Sequence, residues 1–241
     1  GIALVCAGAE REGNADFDAA IVLDPGLALA WELRGTQRVE RGDVRGGLED
    51  LDRAVRLDPT AADAFAARGV ARAKAGDVAG GLADLDEAIR LEPRHAEAHL
   101  NRAGLRSNAG DAAAALPDFD RAVELSPGAP RPLVERALAR QRVGRHAEAL
   151  RDLDAAIALA PRDAQLYARR GALRWEGAAR AKEPDPQPAL SDYDRAIGLA
   201  PDHPGLRAQR ARLLATIGEH AAAIDDLDRA MIRLLRQDGR I

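Results

Sequence analysis

The sequence predicts an all-α protein made of stacked antiparallel helix pairs, on three observations. The first is a recurring phrase, Asp-x-Asp, then an alanine two residues on, then a closing proline. It stands at Asp16/Asp18/Ala20/Pro25, Asp50/Asp52/Ala54/Pro59, Asp84/Asp86/Ala88/Pro93, Asp118/Asp120/Ala122/Pro127, Asp152/Asp154/Ala156/Pro161 and Asp192/Asp194/Ala196/Pro201. A last copy, Asp226/Asp228/Ala230, lacks the proline. The prolines are 34 residues apart four times and then 40, and a fixed period of that length marks stacked supersecondary units rather than one globular core. The second observation is a set of glycines on the same clock, Gly8, Gly42, Gly76, Gly110, Gly144 and Gly218, each after an apolar-periodic run as at a helix C-terminus. The third is composition. Hydrophobic residues make up 46%, mostly Ala and Leu, aromatics only 3%, and Lys74 and Lys182 are the only lysines among many arginines, a usage that favours helix over strand.

Each unit therefore reads as helix A, glycine turn, helix B, proline turn. The first full unit places helix A at about 28–41 and helix B at about 44–57, and the others follow at the same offsets. The units are 1–27, 28–61, 62–95, 96–129, 130–163, 164–203 and 204–241, in a single solenoid. Gly1 falls inside helix A of the first unit, so the chain is expected to be a fragment that starts in mid-repeat. That puts Cys6, the sole cysteine, on a packed helix rather than at a lipid anchor, and excludes an internal disulfide. The 164–203 unit holds six extra residues, placed at about 176–188. Its helix A is expected to run on for a turn or more before Pro184, Pro186 and Pro188 force an extended corner. Such an insertion maps to a loop, which can be a binding feature or a tolerated surface detail.

Small residues show where helices cross. Gly1, Gly35, Gly69, Ala103, Ala137, Gly171 and Ala211 form a column on helix A, and Gly13, Gly47, Gly81, Ala115, Ala149, Ala189 and Ala223 form one on helix B. Axes about 8–10 Å apart need such residues. Trp31, Phe65, Leu133 and Tyr167 on helix A, with Leu51, Leu85, Phe119, Leu153, Tyr193 and Leu227 on helix B, fill the space between. Helix A also carries Arg34/Arg38, Arg68/Arg72, Arg102/Arg106, Arg136/Arg140 and Arg170/Arg174, with Arg210 and Leu214 last. A spacing of four puts both arginines of a pair on one helix face, where a buried unpaired charge would cost several kcal/mol. The only acids present in every unit are the Asp-x-Asp pairs. One aspartate is expected to lean to its own helix A and the other to the next.

These columns resemble the tetratricopeptide repeat. Trp31, Gly35, Gly47, Leu51, Ala54 and Pro59 fall on that family's pattern at its spacing, as do Tyr167, Gly171, Ala189, Tyr193, Ala196 and Pro201 once the insertion is allowed for. The resemblance covers nearly the whole chain, about seven repeats with the first truncated. It implies a right-handed α–α superhelix whose A helices line a concave groove. It also marks a departure, since the two arginine columns are usually a leucine and a tyrosine in the family. The groove columns implied are Leu29, Glu32, Val39 and Glu40; Asp63, Val70 and Lys74; Glu97, Leu100 and Asn108; Arg131, Val134, Leu138 and Arg142; Gln165, Trp175 and Glu176; and Arg212 and Thr216. The partner-binding residues named on this basis are Glu32, Val39, Asp63, Val70, Leu100, Arg131, Val134, Leu138, Arg142, Trp175 and Arg212. The face is mostly small and apolar, acidic early and basic late, which suits an extended or helical peptide.

Other chemistries find little support. Two aspartates two apart on a helix point about 200° away from each other and cannot converge on one ion or substrate. His95 and His99 have a metal-compatible spacing, but His99 occupies the slot of Trp31 and Phe65 and is expected to pack. Arg41-Gly42-Asp43 spells an adhesion tripeptide, yet Ala75-Gly76-Asp77 and Ala109-Gly110-Asp111 identify it as the interhelix turn. No nucleophile elbow or phosphate loop occurs. No catalytic residue, metal or cofactor is expected, and the function read is a non-catalytic interaction scaffold for a peptide or partner protein. The alternative is a helper or recruitment domain of a larger enzyme, such as a glycosyltransferase or kinase. The Lys/Asn clamp that chaperone-binding members use for a terminal carboxylate is absent, since Glu32, Thr36, Ala67, Asp63 and Ala66 hold those columns. The net charge of −4 argues against nucleic acid, although exposed arginine columns could hold an acidic polymer. No apolar run approaches the roughly 20 residues of a membrane span. A soluble chain is expected, with the cytoplasm slightly favoured, and the oligomeric state is not legible.

Overall fold

The computed structural model describes residues 16–179 and 184–237. Gly1, Cys6, Gly8, Gly13 and Lys182 lie outside them. The fold divides into two compact units, Gly1–Leu125 and Ser126–Ile241. In the first, α1 (16–23) is followed by α2 (Ala28–Glu40), α3 (Val44–Leu57), α4 (Ala62–Lys74), α5 (Val78–Leu91), α6 (Ala96–Asn108) and α7 (Ala112–Leu125). The second holds α8 (Pro130–Arg142), α9 (His146–Leu159), α10 (Ala164–Ala178), α11 (Gln187–Leu199), α12 (Pro204–Thr216) and α13 (His220–Gln237). There is no strand among the described residues. Helices A and B of one repeat pack on each other from α2 and α3 onward, and within the units α3 meets α4, α5 meets α6, α9 meets α10 and α11 meets α12, while in the first unit α2, α4 and α6 lie side by side.

The repeating marks do the structural work expected of them. Gly42 has φ 92°, and Gly76, Gly110, Gly144 and Gly218 match it, a conformation that residues with a Cβ rarely adopt. Around Gly42 the Asp43 N–H donates to Arg38 O at 2.9 Å and the Gly42 N–H to Val39 O at 3.2 Å, the paired closure of a Schellman turn. Asp43 then caps α3 by accepting from the Gly46 N–H at 2.9 Å, and Asp77 and Asp111 do the same for α5 and α7. The Arg-Gly-Asp tripeptide is thus one helix stop and one helix start. At the crossing of α2 and α3 a Cβ on Gly35 would stand 2.9 Å from Gly47 O, and one on Gly47 would stand 2.7 Å from Gly35 O. Only backbone fits there.

Leu51, Leu85 and Phe119 are fully buried in the first unit, and Leu153, Tyr193 and Leu206 lie buried in the second. Burying such side chains stabilises by about 1.5–3 kcal/mol each. The insertion departs from expectation. Helix α10 ends at Ala178, two residues beyond the position where the other A helices stop, rather than a turn or more. Residues 180–183 lie outside the described residues. Pro184 to Pro186 are non-helical, whereas Pro188 sits in the first turn of α11, where the missing N–H costs nothing. Pro117 lies within α7.

Candidate functional site

The recurring Asp-x-Asp phrase makes an ion-pair ladder within each unit. Asp50 is 3% exposed and takes both Arg34 Nε (2.8 Å) and Nη2 (2.7 Å), a bidentate arrangement of the strong kind. Arg38 Nη1 adds a contact to Asp50 Oδ2 at 2.8 Å, while Arg34 Nη1 reaches back to Asp18 at 2.7 Å. The next rungs repeat this. Arg68 joins Asp84 and Asp52, and Arg102 joins Asp118 and Asp86. In the second unit Arg170 joins Asp192 and Asp154, and Arg210 joins Asp226 and Asp194. Hydrogen bonding to Asp50 pushes the Arg34 guanidinium above its ordinary range. At Asp118, burial pushes the carboxyl up, but hydrogen bonds from Arg102 and His99 and the charges of Arg102 and Arg106 hold it below the usual carboxylate range. In the last repeat Leu214 stands where the second arginine would be. There Arg207, in the slot of Trp31, approaches Asp226 at 3.6 Å.

The aromatic column has a polar function as well. Trp31 Nε1 donates to Pro25 O at 3.0 Å and Tyr167 OH to Pro161 O at 3.2 Å, and the guanidinium of Arg34 lies 4.9 Å from the Trp31 ring centre. His99 is buried and reproduces the bond, with Nε2 3.2 Å from Pro93 O and Nδ1 3.1 Å from Asp118. His95 instead caps α6, its Nδ1 accepting from the Ala98 N–H at 3.3 Å, with Nε2 2.9 Å from Asp63. The two histidines thus serve different partners. Among the described residues no three His, Cys, Asp or Glu side chains gather as a metal site would require.

The variable residues line recesses on the A helices. In the first unit a recess of about 440 Å³ lies across α2 and α4 and reaches α6, and gathers Glu32, Val39, Asp63 and Val70. Leu33, Thr36, Ala66 and Ala67 make its apolar wall, and Glu40 and Glu97 add acid against Lys74 and His95. A second recess of about 460 Å³ shares Glu32 and Asp63 and adds Asp58 and Glu92. Val39 is buried, packed with Leu51 and Ala71, and forms floor rather than open surface. Leu100 is 3% exposed, in a column at the edge of the helix seam where Ala66 and Ala168 are buried too. Glu32 occupies that same column. Burial first, then the charges of Asp63 and Asp58, raise its pKa to about 6.

In the second unit Trp175 and Arg212 share a recess of about 440 Å³ with Arg169, Tyr193, Gln209 and Thr216. Trp175 is half-buried and packs against the core around Tyr193 and Leu213. Leu138 lies on a smaller recess of about 180 Å³ that also contains Arg169 and Ala172. Arg131 and Arg142 are exposed on α8, and Val134 is half-buried. Glu176, expected on the groove, is held instead by Gln141 Nε2 at 2.6 Å and by His146 Nε2 at 3.0 Å. Sequence reasoning missed one column as a set: Leu33, Ala67 and Asn101 line the first recess, and Arg169 and Gln209 the second. The signal was available in its changing chemistry from repeat to repeat.

Comparison with known proteins agrees with this architecture. The tetratricopeptide repeat family matches residues 32–83 and 66–130. A tetratricopeptide repeat protein from Parabacteroides merdae is 20% identical at TM-score 0.68, with 96% of this chain and 90% of that one covered. The Pseudomonas aeruginosa protein PilF is 18% identical at TM-score 0.71, with coverage of 87% and 91%. YrrB, described as a TPR protein with an unusual peptide-binding site, is 21% identical at TM-score 0.59, with coverage of 78% and 93%. No curated protein matches the sequence. With the 34-residue columns, the helix pairs and these matches in agreement, the chain has the fold of tetratricopeptide repeat proteins, and residues 32–130 carry the family's match.

Proposed function

We propose that this protein is a non-catalytic interaction scaffold that binds peptide segments of a partner protein along its A helices. The observation that carries the reading is the contrast between constant and variable residues. The repeated carboxylates and guanidiniums satisfy one another, while the residues that differ between repeats line recesses with apolar floors. The first-unit recess, with Glu32, Asp63, Glu40 and Glu97 around small apolar side chains, suits a peptide carrying lysine or arginine. The second, with Trp175 and Tyr193 beside Arg169 and Arg212, suits an apolar or aromatic residue next to an acid. A terminal carboxylate is disfavoured at the first recess, where it would meet Glu32 and Asp63. The acidic-polymer reading of the arginine columns has no support from a ladder whose guanidiniums are engaged.

Selection from a random peptide display library tests the proposal. Enriched sequences should carry basic residues, and Glu32→Lys with Asp63→Lys should weaken them about tenfold or more. Leu138→Asp with Trp175→Asp should abolish capture of peptides bearing an acid beside an apolar residue, with far-ultraviolet circular dichroism unchanged. Enrichment that survives both double variants would remove the recesses from the account.

A further inference from the structure

The second-unit recess holds three donors that the described fold leaves unanswered. Tyr193 is 5% exposed and lines the recess, yet its hydroxyl has no hydrogen-bond partner among the described residues. A buried tyrosine hydroxyl ordinarily finds one, as Tyr167 does by donating to Pro161 O at 3.2 Å. Arg169 on α10 and Arg212 on α12 line the same recess and are exposed. Neither guanidinium has an ion-pair partner among the described residues. Other arginines of the same two helices differ: Arg170 and Arg174 are held by Asp192, and Arg210 by Asp226 and Asp194. Among the described residues no carboxylate lines the recess. Burial pushes the Tyr193 hydroxyl above its ordinary pKa, while the charge of Arg212 pulls the other way. The phenol therefore keeps its proton at neutral pH and stands within the field of that guanidinium.

We propose that this recess is a subsite for a phosphorylated residue of the bound peptide. The inference rests on the peptide-scaffold reading above and names the acid that the second-unit recess takes. Two uncompensated guanidiniums and a protonated phenol line one space and offer it a double positive charge. A phosphate monoester carries about −1.5 to −2 charges and three strong acceptor oxygens, and the planar fork of a guanidinium meets such oxygens in pairs. A carboxylate has one charge and two oxygens, which leaves part of this donor set unanswered. The apolar surroundings argue for a phosphate carried on a peptide. Trp175, Leu213 and Ala172 wall the recess, and Arg169 and Ala172 also border the smaller recess with Leu138 and Leu173. Arg169 is thus shared by two apolar pockets, which suits side chains on either side of a phosphorylated residue. The first-unit recess would repel that residue, because Glu32, Asp63, Glu40 and Glu97 gather there.

The test uses three random peptide libraries that differ only in a fixed central residue: phosphoserine, serine or glutamate. Retention on the immobilised protein is followed by fluorescence anisotropy of labelled members. The phosphoserine library should be retained about tenfold or more over the serine library, with glutamate between them. Arg169→Gln with Arg212→Gln should bring phosphoserine peptides down to the serine level and leave basic peptides at the first-unit recess unchanged. Both arginines are exposed, so thermal melts of this variant should match the parent. Tyr193→Phe should weaken phosphoserine peptides by about tenfold, the scale of a hydrogen bond to a charged group, without lowering Tm, because the hydroxyl has no partner to lose. Equal retention of the phosphoserine library and either other library would overturn the proposal and leave the scaffold reading standing. So would a Tyr193→Phe variant with lowered Tm and unchanged binding, or inorganic phosphate alone binding as tightly as the peptides. Retention of none of the libraries, with no enrichment in the display selection, would overturn the scaffold reading together with this one.

Discussion

Asp84 and Asp86 share one helical turn, yet physical chemistry gives them different weights. Asp84 is 4% exposed and holds Arg68 in a bidentate pair with Arg72 alongside. Removing its charge leaves two guanidiniums facing a desolvated seam. Asp84→Asn should therefore lower unfolding free energy by about 3 kcal/mol, measured by urea denaturation. Asp86, with a side chain 55% exposed against Arg102, should cost less than about 1 kcal/mol on the same substitution. The pH dependence has two signs. Asp118 is held below the usual range, so the stability it supplies is full above the unfolded-state pKa and is lost as pH falls through the folded value. Glu32 is raised to about 6, so its contribution is present below the model-peptide value near 4.5 and lost as pH rises through about 6. Glu32→Gln should raise Tm at pH 7.5 and leave it unchanged at pH 4. A Tm gain equal at both would mean that ionisation of Glu32 is not the cause.

At the scale of the element, the clock of prolines and glycines placed helix boundaries closely because each mark has a local cause. Positive φ stops the A helix at Gly42 and its relatives, and an aspartate cap starts α3, α5 and α7. The expectation that one acid of each pair faces its own helix A and the other the next was legible for the same reason, since a buried arginine left no other partner in every repeat. The burial of Leu100 was not legible, because a column at the seam's edge is open or closed according to the side chains it carries, which spacing alone does not show. Helix α10 was overextended because the insertion was assigned to continued helix. Pro117 offers an element-scale prediction. It is exposed in α7 and occupies a position held by Glu49, Ala83, Arg151, Ser191 and Asp225 in other repeats. Pro117→Ala restores a backbone hydrogen bond and should raise stability by about 1–3 kcal/mol, read as a higher urea midpoint. An unchanged midpoint would mean that α7 already absorbs the missing bond without strain.

For the whole molecule, the account separates two sets of carboxylates. The ladder set repeats and holds helices together, and the recess set differs between repeats and meets the ligand. Binding of a basic peptide to the first recess should weaken as pH drops from 7.5 to 5.5, because Glu32 takes up a proton through about 6. Net charge alone could mimic such an effect, so the decisive comparison removes two charges from either set within the first unit. The measurement is the affinity of a lysine-rich peptide from the display selection, by fluorescence titration at pH 7.5, for Glu32→Gln/Asp63→Asn and for Asp52→Asn/Asp86→Asn. The account predicts a loss of about tenfold or more for the recess pair and less than about twofold for the ladder pair. Equal losses from the two variants would contradict it.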